Sequence, residues 1–220
     1  MSVALSRVVT LREMGRDADT ARVAEDALRR EGSWLPDPRA EDFAIAKEAN
    51  PLLLDTLVDT NRITRAERAR RRDAWLADWK KRVRPFHEPF LWLNGYAAVV
   101  HDLEGAREAM AAMPKDGVPP VYPRATPDEG LGRMYLLLDQ PAEARRILAR
   151  WAHGCDGLSY PISYVRSRIW LGEALERMGE RDGACKEYAS VIERWGHAKP
   201  RSVSAENARA HARKLDCPEK

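Results

Sequence analysis

Two stretches of the sequence repeat each other at a constant distance of 40 residues. They run from 131 to 148 and from 171 to 188, and their matching residues are Leu131 with Leu171, Gly132 with Gly172, Ala144 with Ala184, and Leu148 with Tyr188. Small residues at such positions let two helices approach closely, and a large residue one turn later fills the remaining space. The repeat therefore predicts consecutive helix hairpins, each packed on the next.

Two fainter copies extend the pattern towards the N-terminus. The stretch 93–110 places Leu93, Ala97, Ala106 and Met110 on the same template, and 12–28 shares the Met-Gly pair that precedes a turn. Ala, Arg, Glu and Leu dominate the composition, and period-two runs of β-branched or aromatic residues are missing. We therefore expect an all-α fold built as an array of helix hairpins.

The charge balance and hydropathy limit where such a chain can act. The 220 residues include 37 Lys and Arg and 34 Asp and Glu, which gives a net charge of +3. This charge is too small to imply a nucleic-acid or membrane partner. No apolar run approaches the ~18 residues that span a bilayer. Arg7 and Arg12 interrupt the first apolar stretch, so this stretch is not typical of a secretory signal. We expect a cytoplasmic protein.

The two strong copies resemble tetratricopeptide (TPR) repeats. That family pairs a Leu-Gly with a large residue three positions later, an Ala, and an aromatic four positions after the Ala. The second copy fits with Leu171-Gly172, Leu175, Ala184 and Tyr188, whereas the first fits with Leu131-Gly132, Tyr135 and Ala144 but has Leu148 in place of the aromatic. The closing Pro of the family is absent, and the copies are 38 to 40 residues apart instead of 34.

Residues 91–220 also resemble the C-terminal part of bacterial serine/threonine protein kinases that carry TPR-type repeats. The pieces 92–98, 131–137 and 189–196 fit this likeness. It implies a TPR-like α-solenoid over 91–220, preceded by an irregular helical region over 1–90 that serves as a cap or as degenerate repeats. It also implies a kinase-associated signalling or scaffolding role, with a protein or an extended peptide as partner.

Catalytic motifs are missing from the sequence. A kinase needs a glycine-rich phosphate loop, a strand lysine, a catalytic-loop Asp with its Asn, and a metal-binding DFG, and none of these occurs. The five histidines are scattered. Glu173 and Glu176 lie three apart on one predicted helix face, where we expect them to be exposed and solvated. The sequence therefore predicts no enzyme, no catalytic residues and no cofactor.

The three cysteines allow three interpretations. Cys155 and Cys217 lie near histidines, which permits a mixed Cys/His zinc site or a redox site, although intervals of 30 and 32 residues are not ligand spacing. Cys185 follows Ala184 on a packing face, where small buried thiols are common. We favour buried packing thiols without a metal. The remaining alternative is a disulfide through which Cys217 reaches back to the last repeat.

A basic segment at 62–84 supplies the alternative function. It holds ten Lys and Arg, and Thr64 with Glu67 forms a capping box that predicts a helix from there to the residue before Pro85. Aromatics among basic residues can bind nucleic acid, and the candidate patch is Arg68, Arg71, Arg72, Lys80 and Lys81. We favour a helix that buries Trp75, Leu76, Trp79 and Val83 and keeps its arginines solvated or paired. Protein is thus the favoured partner, ahead of nucleic acid.

Overall fold

The computed structural model describes residues 3–31, 50–81, 88–115, 129–157 and 159–218. Within these ranges lie eleven α-helices and two short 3-10 helices, at Ala97–Val99 and Cys155–Gly157. The α-helices are α1 (Val3–Glu13), α2 (Asp17–Glu31), α3 (Asn50–Asp59), α4 (Arg65–Lys80), α5 (Glu88–Gly95), α6 (Leu103–Ala111), α7 (Glu129–Leu137), α8 (Pro141–Ala152), α9 (Pro161–Arg177), α10 (Arg181–Trp195) and α11 (Val203–Lys214).

Every regular element in the described ranges is helical, which confirms the all-α prediction. The composition explains this result, because good helix formers fill the segments between proline- and glycine-rich interruptions. No helix in these ranges combines the length and the apolar character needed to cross a membrane.

Sharp turns join α7 to α8 and α9 to α10 through residues in the left-handed backbone region. Gly179 follows α9 with a φ of 76°, and the amide of Glu180 donates a 2.9 Å hydrogen bond to the carbonyl of Leu175, five residues back. This arrangement satisfies carbonyls at the end of a helix. Asp139 takes the same conformation after α7, with a φ of 57°, and Pro141 then begins α8. The chain thus reverses direction after α7 and after α9.

The described residues divide into two compact units. Unit 1 comprises residues up to 99, apart from 13–15, together with 108–115; unit 2 comprises 129–218 with the short pieces 13–15 and 100–107. The predicted repeat domain begins at 91, whereas α5 belongs to unit 1. Inclusion of residues 91–128 in the repeat domain stays a prediction.

Unit 1 contains two apolar clusters. The first joins α1, α2 and α3 through Val8, Ala24, Leu53 and Leu57, all nearly inaccessible to solvent. The second joins α4 and α5 through Trp75, Leu76, Trp79 and Leu91. The indole of Trp92 in addition donates a 2.9 Å hydrogen bond to the carbonyl of Ala109. These contacts give α4 and α5 an apolar cluster of their own and attach α6 to α5.

Unit 2 is organised around α9, which packs against α8 on one side and α10 on the other. α7 packs on α8 and also contacts α9, while α11 packs on α10 and also contacts α9. The core residues come from all five helices and include Leu136, Leu148, Val165, Ile169, Leu171, Tyr188, Val191 and Ala208. The order of contacts follows the order of the chain, so each helix rests on its sequence neighbours.

Candidate functional site

The repeated small residues of unit 2 lie where two helices come closest. A methyl group added at Gly132 on α7 would lie 2.5 Å from Cγ of Leu148 on α8. The equivalent group at Gly172 on α9 would lie 2.5 Å from Cε1 of Tyr188 on α10. Ala144 and Ala184, on the second helix of each hairpin, are fully buried. The two glycines thus make equivalent contacts in two successive hairpins, and the two alanines are equally buried.

Charged side chains connect α7 with α9 on one side of unit 2. Arg133 on α7 forms a 2.9 Å ion pair with Glu173 on α9, and its guanidinium carbon lies 5.4 Å from the centre of the Trp170 ring. Both charged side chains are about four-fifths buried, since 21% and 18% of their surfaces are exposed. The three side chains together present one cation, one anion and one half-buried indole.

A second polar group continues this connection from α9 to α11. Glu176 receives hydrogen bonds from the hydroxyl of Tyr188 at 3.2 Å and from Lys214 at 2.6 Å, and His211 Nδ1 lies 3.1 Å from the same carboxylate. The ring of His211 stacks on that of Tyr188 with 5.1 Å between ring centres. We call the six side chains of α7, α9 and α11 the charged face: Arg133, Trp170, Glu173, Glu176, His211 and Lys214.

The surroundings of Glu176 determine its protonation. Burial alone would raise the pKa of this carboxyl group, but the hydrogen bonds and positive charge supplied by Lys214 and His211 outweigh burial and lower the pKa below its ordinary value. Glu176 is therefore ionised at neutral pH. Burial and the adjacent Glu176 and Glu173 carboxylates raise the pKa of Tyr188, which keeps its hydroxyl protonated as a donor.

The expectation that Glu173 and Glu176 are exposed and solvated is wrong. Their side chains are only 18% and 15% exposed, because neighbouring helices cover them and supply their ionic partners. The sequence could not show this, since the partners lie 35 to 40 residues away along the chain. Only the spacing of the two glutamates on one helix face hinted at a shared environment.

Two cysteines form a disulfide, contrary to the favoured interpretation of buried packing thiols. Cys185 near the start of α10 is bonded to Cys217, which follows α11, and their Cα atoms are 5.5 Å apart. Cys155 is a free, exposed thiol. Sulfurs engaged in a disulfide cannot serve as thiolate ligands, so Cys185 and Cys217 are not zinc ligands in this state. The alternative in which Cys217 reaches back to the last hairpin is the one observed.

The basic helix begins as predicted. Thr64 caps α4, and its hydroxyl accepts a 3.1 Å hydrogen bond from the amide of Glu67. Trp75, Leu76 and Trp79 are buried, as expected for the apolar stripe. The helix ends at Lys80, and the predicted extension over residues 82–84, including Val83, lies outside the described residues.

The five residues of the candidate basic patch do not share one surface. Arg72 is 3% exposed; it pairs with Glu108 at 2.7 Å and lies over the ring of Tyr96 at 4.2 Å. Arg68 is also largely buried and lies 3.4 Å from the same carboxylate. The hydrogen bond from Arg72 and the charges of both arginines lower the pKa of Glu108. Arg71 is half-buried, whereas Lys80 and Lys81 are exposed.

A periodicity signal could have revealed the buried arginines. Arg68, Arg72, Trp75 and Trp79 are spaced by four, three and four residues, so they occupy one stripe of the helix. The two arginines thus belong to the same side as the buried indoles. Their guanidinium groups are held in ion pairs and are not presented to a phosphate backbone.

No family model, curated protein or solved structure matches this chain.

Proposed function

We propose that unit 2 is a TPR-type repeat domain that binds a protein or an extended peptide on the charged face. Its role is regulatory or scaffolding, in a bacterial serine/threonine kinase system of the kind that the sequence resembles. The proposal concerns the first helix of each hairpin, α7 and α9, and the helix α11 that follows them.

One observation carries the proposal: the same glycine-to-large-residue contact recurs in consecutive hairpins. A methyl group added at Gly132 would lie 2.5 Å from Leu148, and one added at Gly172 would lie 2.5 Å from Tyr188. When equivalent hairpins stack, their first helices come to lie side by side and form an extended surface. The contact of α7 with α9, and of α9 with α11, agrees with that arrangement.

The chemistry of the charged face suits a polypeptide ligand. Arg133 and Glu173 are paired, yet each keeps about a fifth of its surface accessible, so a ligand carboxylate or amide can share their hydrogen-bonding capacity. Trp170 supplies half-buried aromatic area beside them, and aromatic and arginine side chains are enriched at protein interfaces. Lys214, with 70% of its side chain exposed, adds a cation at the end of the face.

We further propose that the chain is not an enzyme. The charged side chains of the face are occupied by one another in ion pairs, and the phosphate-binding and metal-binding motifs of kinases are absent from the sequence. Titration of the purified chain with Mg-ATP in a calorimeter is expected to give no saturable heat. Saturable nucleotide binding with phosphotransfer would contradict this part of the proposal.

Site-specific photo-crosslinking tests the binding face directly. A benzophenone amino acid at position 170 is expected to capture a discrete protein in cell extract, whereas the same group at exposed position 142 on α8 is expected to capture none. The captured protein is then purified and its affinity measured by titration. Equal capture from both positions, or capture of nucleic acid alone, would contradict the proposal.

A charge-exchanged variant provides the matched control for affinity. The double substitution Arg133→Glu with Glu173→Arg keeps an ion pair between α7 and α9 but reverses its polarity. We expect the melting temperature to stay close to that of the wild type while affinity for the captured protein falls at least tenfold. Unchanged affinity would place the binding site elsewhere on the chain.

A further inference from the structure

We propose that the Cys185–Cys217 disulfide is a redox-controlled attachment of the C-terminal end of α11, and that a dithiol reductant releases this end from α10. The inference concerns the state of α11 and does not depend on the binding function proposed above. It rests on where the disulfide lies, on what else holds this end of the helix, and on how little apolar surface the helix buries.

The disulfide reinforces a set of polar attachments at one end of α11. Arg181, at the start of α10, donates a 2.7 Å hydrogen bond to the carbonyl of Leu215 and a second to the carbonyl of Asp216. Lys214 and His211 contact Glu176. Arg181 is exposed, and 70% of the Lys214 side chain is accessible, so water competes with these contacts. Unlike these polar contacts, the covalent bond cannot be replaced by water.

The apolar contribution of α11 is small. Its buried residues are Ser204, Ala205 and Ala208, and Ala212 and Leu215 are partly buried against the core of unit 2. By contrast, α10 buries Tyr188 and Val191 completely. Hydrophobic stabilisation scales with the apolar area removed from water, and alanine contributes little area. Helices with few buried apolar contacts are the ones that open locally.

The exchange chemistry balances with a dithiol as the reductant. A thiolate of the dithiol attacks Sγ of Cys217, the more exposed partner; the S–S bond breaks, and Cys185 leaves as a thiolate that takes a proton from water. The second thiol of the reductant then attacks the mixed disulfide and releases the Cys217 thiol. The reductant ends as a disulfide, and two electrons have passed to the protein cystine. An oxidising compartment keeps the bond closed, whereas a reducing one opens it.

Release would uncover groups that α11 now covers. The ring of His211 stacks on Tyr188 and contacts the Glu176 carboxylate, while Lys214 forms an ion pair with that carboxylate. When this end of the helix moves away, the hydroxyl edge of Tyr188 on α10 and the Glu176 carboxylate on α9, now without its Lys214 partner, become accessible. The reduced chain therefore presents a more acidic surface at this position than the oxidised chain.

Hydrogen exchange on the full chain, with and without dithiothreitol, tests the proposal. Thiol titration after denaturation is expected to find one thiol in the oxidised protein, from Cys155, and three after reduction. Amide exchange across residues 209–217 is expected to rise at least tenfold on reduction, whereas exchange in α8 stays unchanged. The variant Cys155→Ser is expected to respond like the wild type, because Cys155 takes no part in the bond.

Several results would overturn the proposal. Three thiols in protein kept under oxidising conditions would show that the bond does not form. Equal exchange of residues 209–217 in both states would show that other contacts suffice to hold this end of α11.

The double variant Cys185→Ala with Cys217→Ala should show the amide exchange of the reduced chain whether or not reductant is present. If that variant fails to fold, or if reduction raises exchange in every helix, the disulfide supports the whole chain and the local release is refuted.

Discussion

Tyr188 fills the space into which a side chain at position 172 would extend, so the aromatic ring of α10 and the bare backbone of α9 fit together as one contact. The ring is fully buried, and its hydroxyl reaches Glu176 one turn further along α9. Because the pair fixes the distance between the two helices, it is the most direct place to test the packing of unit 2.

The substitution Gly172→Ala should destabilise the protein. The added methyl group would lie 2.5 Å from Cε1 of Tyr188. This distance is shorter than non-bonded carbon–carbon contacts in proteins, so the ring or the helix has to move. Overpacking of this kind costs about 1 to 3 kcal/mol in the free energy of unfolding. Urea denaturation followed by circular dichroism measures it.

Gly105→Ala is the matched control for this experiment. Position 105 is also helical, but an added methyl group there meets only an ordinary contact with Asp102 at 3.4 Å. Because Ala favours a helix over Gly by roughly 0.5–1 kcal/mol, this variant should be neutral or slightly more stable. An equal loss of stability in both variants would show that the contact between Gly172 and Tyr188 has no special role.

The sequence predicted the parts of the fold that depend on local spacing. The helical composition, the cap at Thr64 and the pairing of Gly172 with a large residue 16 positions later all follow from residues within one hairpin. Such features depend only on the geometry of one helix and its immediate neighbour. The order of small and large side chains along the sequence determines that geometry.

The substitution Ala184→Trp should unfold or strongly destabilise unit 2. Ala184 is fully buried between α10 and its neighbours, and an indole cannot enter that space without displacing a helix. Ala142→Trp, on the exposed part of α8, should change the melting temperature little. Equal melting temperatures for Ala184→Trp and the wild type would contradict the close packing of α9 and α10.

The ion pairs of Glu176 should make stability depend on pH. Because the pKa of this carboxyl group is lower in the folded protein than its ordinary value of 4.5, the folded state gains stability above that pH and loses it as pH falls through the folded pKa. Glu176→Gln should therefore cost about 1 kcal/mol at pH 7 and progressively less below pH 4.5. Thermal melts from pH 7 to pH 3 compare the two proteins.

The control for the pH series is Glu193→Gln, a substitution of an exposed glutamate on α10. It should leave the melting temperature within error of the wild type throughout the series. If the difference between Glu176→Gln and the wild type stayed constant with pH, the contribution of Glu176 would be packing and not charge.

Arg72→Gln should destabilise unit 1 although it removes a charge from a basic helix. Arg72 is 3% exposed and pairs with Glu108, so its loss leaves that carboxylate without its main partner. A hydrogen bond between charged groups contributes about 1.5 to 3 kcal/mol. Arg70→Gln, whose side chain is 77% exposed, should change the free energy of unfolding by less than about 0.5 kcal/mol. Urea denaturation distinguishes the two.

Features that join distant parts of the chain could not be decided from the sequence, which left the disulfide as one of three alternatives for the cysteines and favoured paired or solvated arginines on the basic helix. The disulfide connects residues 32 apart, and its geometry exists only once α11 has folded back on α10. The burial of Arg72 depends on Glu108, which is 36 positions further on, and on the ring of Tyr96. In both cases the residue type permits several environments, and the tertiary partner selects among them.

The neighbour-by-neighbour packing of unit 2 has a consequence for how the protein forms. Its helices contact mainly those that precede and follow them in the chain, so no pairing has to wait for a remote segment. Chains dominated by such short-range contacts fold quickly, and a chain synthesised from its N-terminus can settle each helix on the one just completed. Cys217 follows α11, so the Cys185–Cys217 bond can form only after the last helix of the unit has been made.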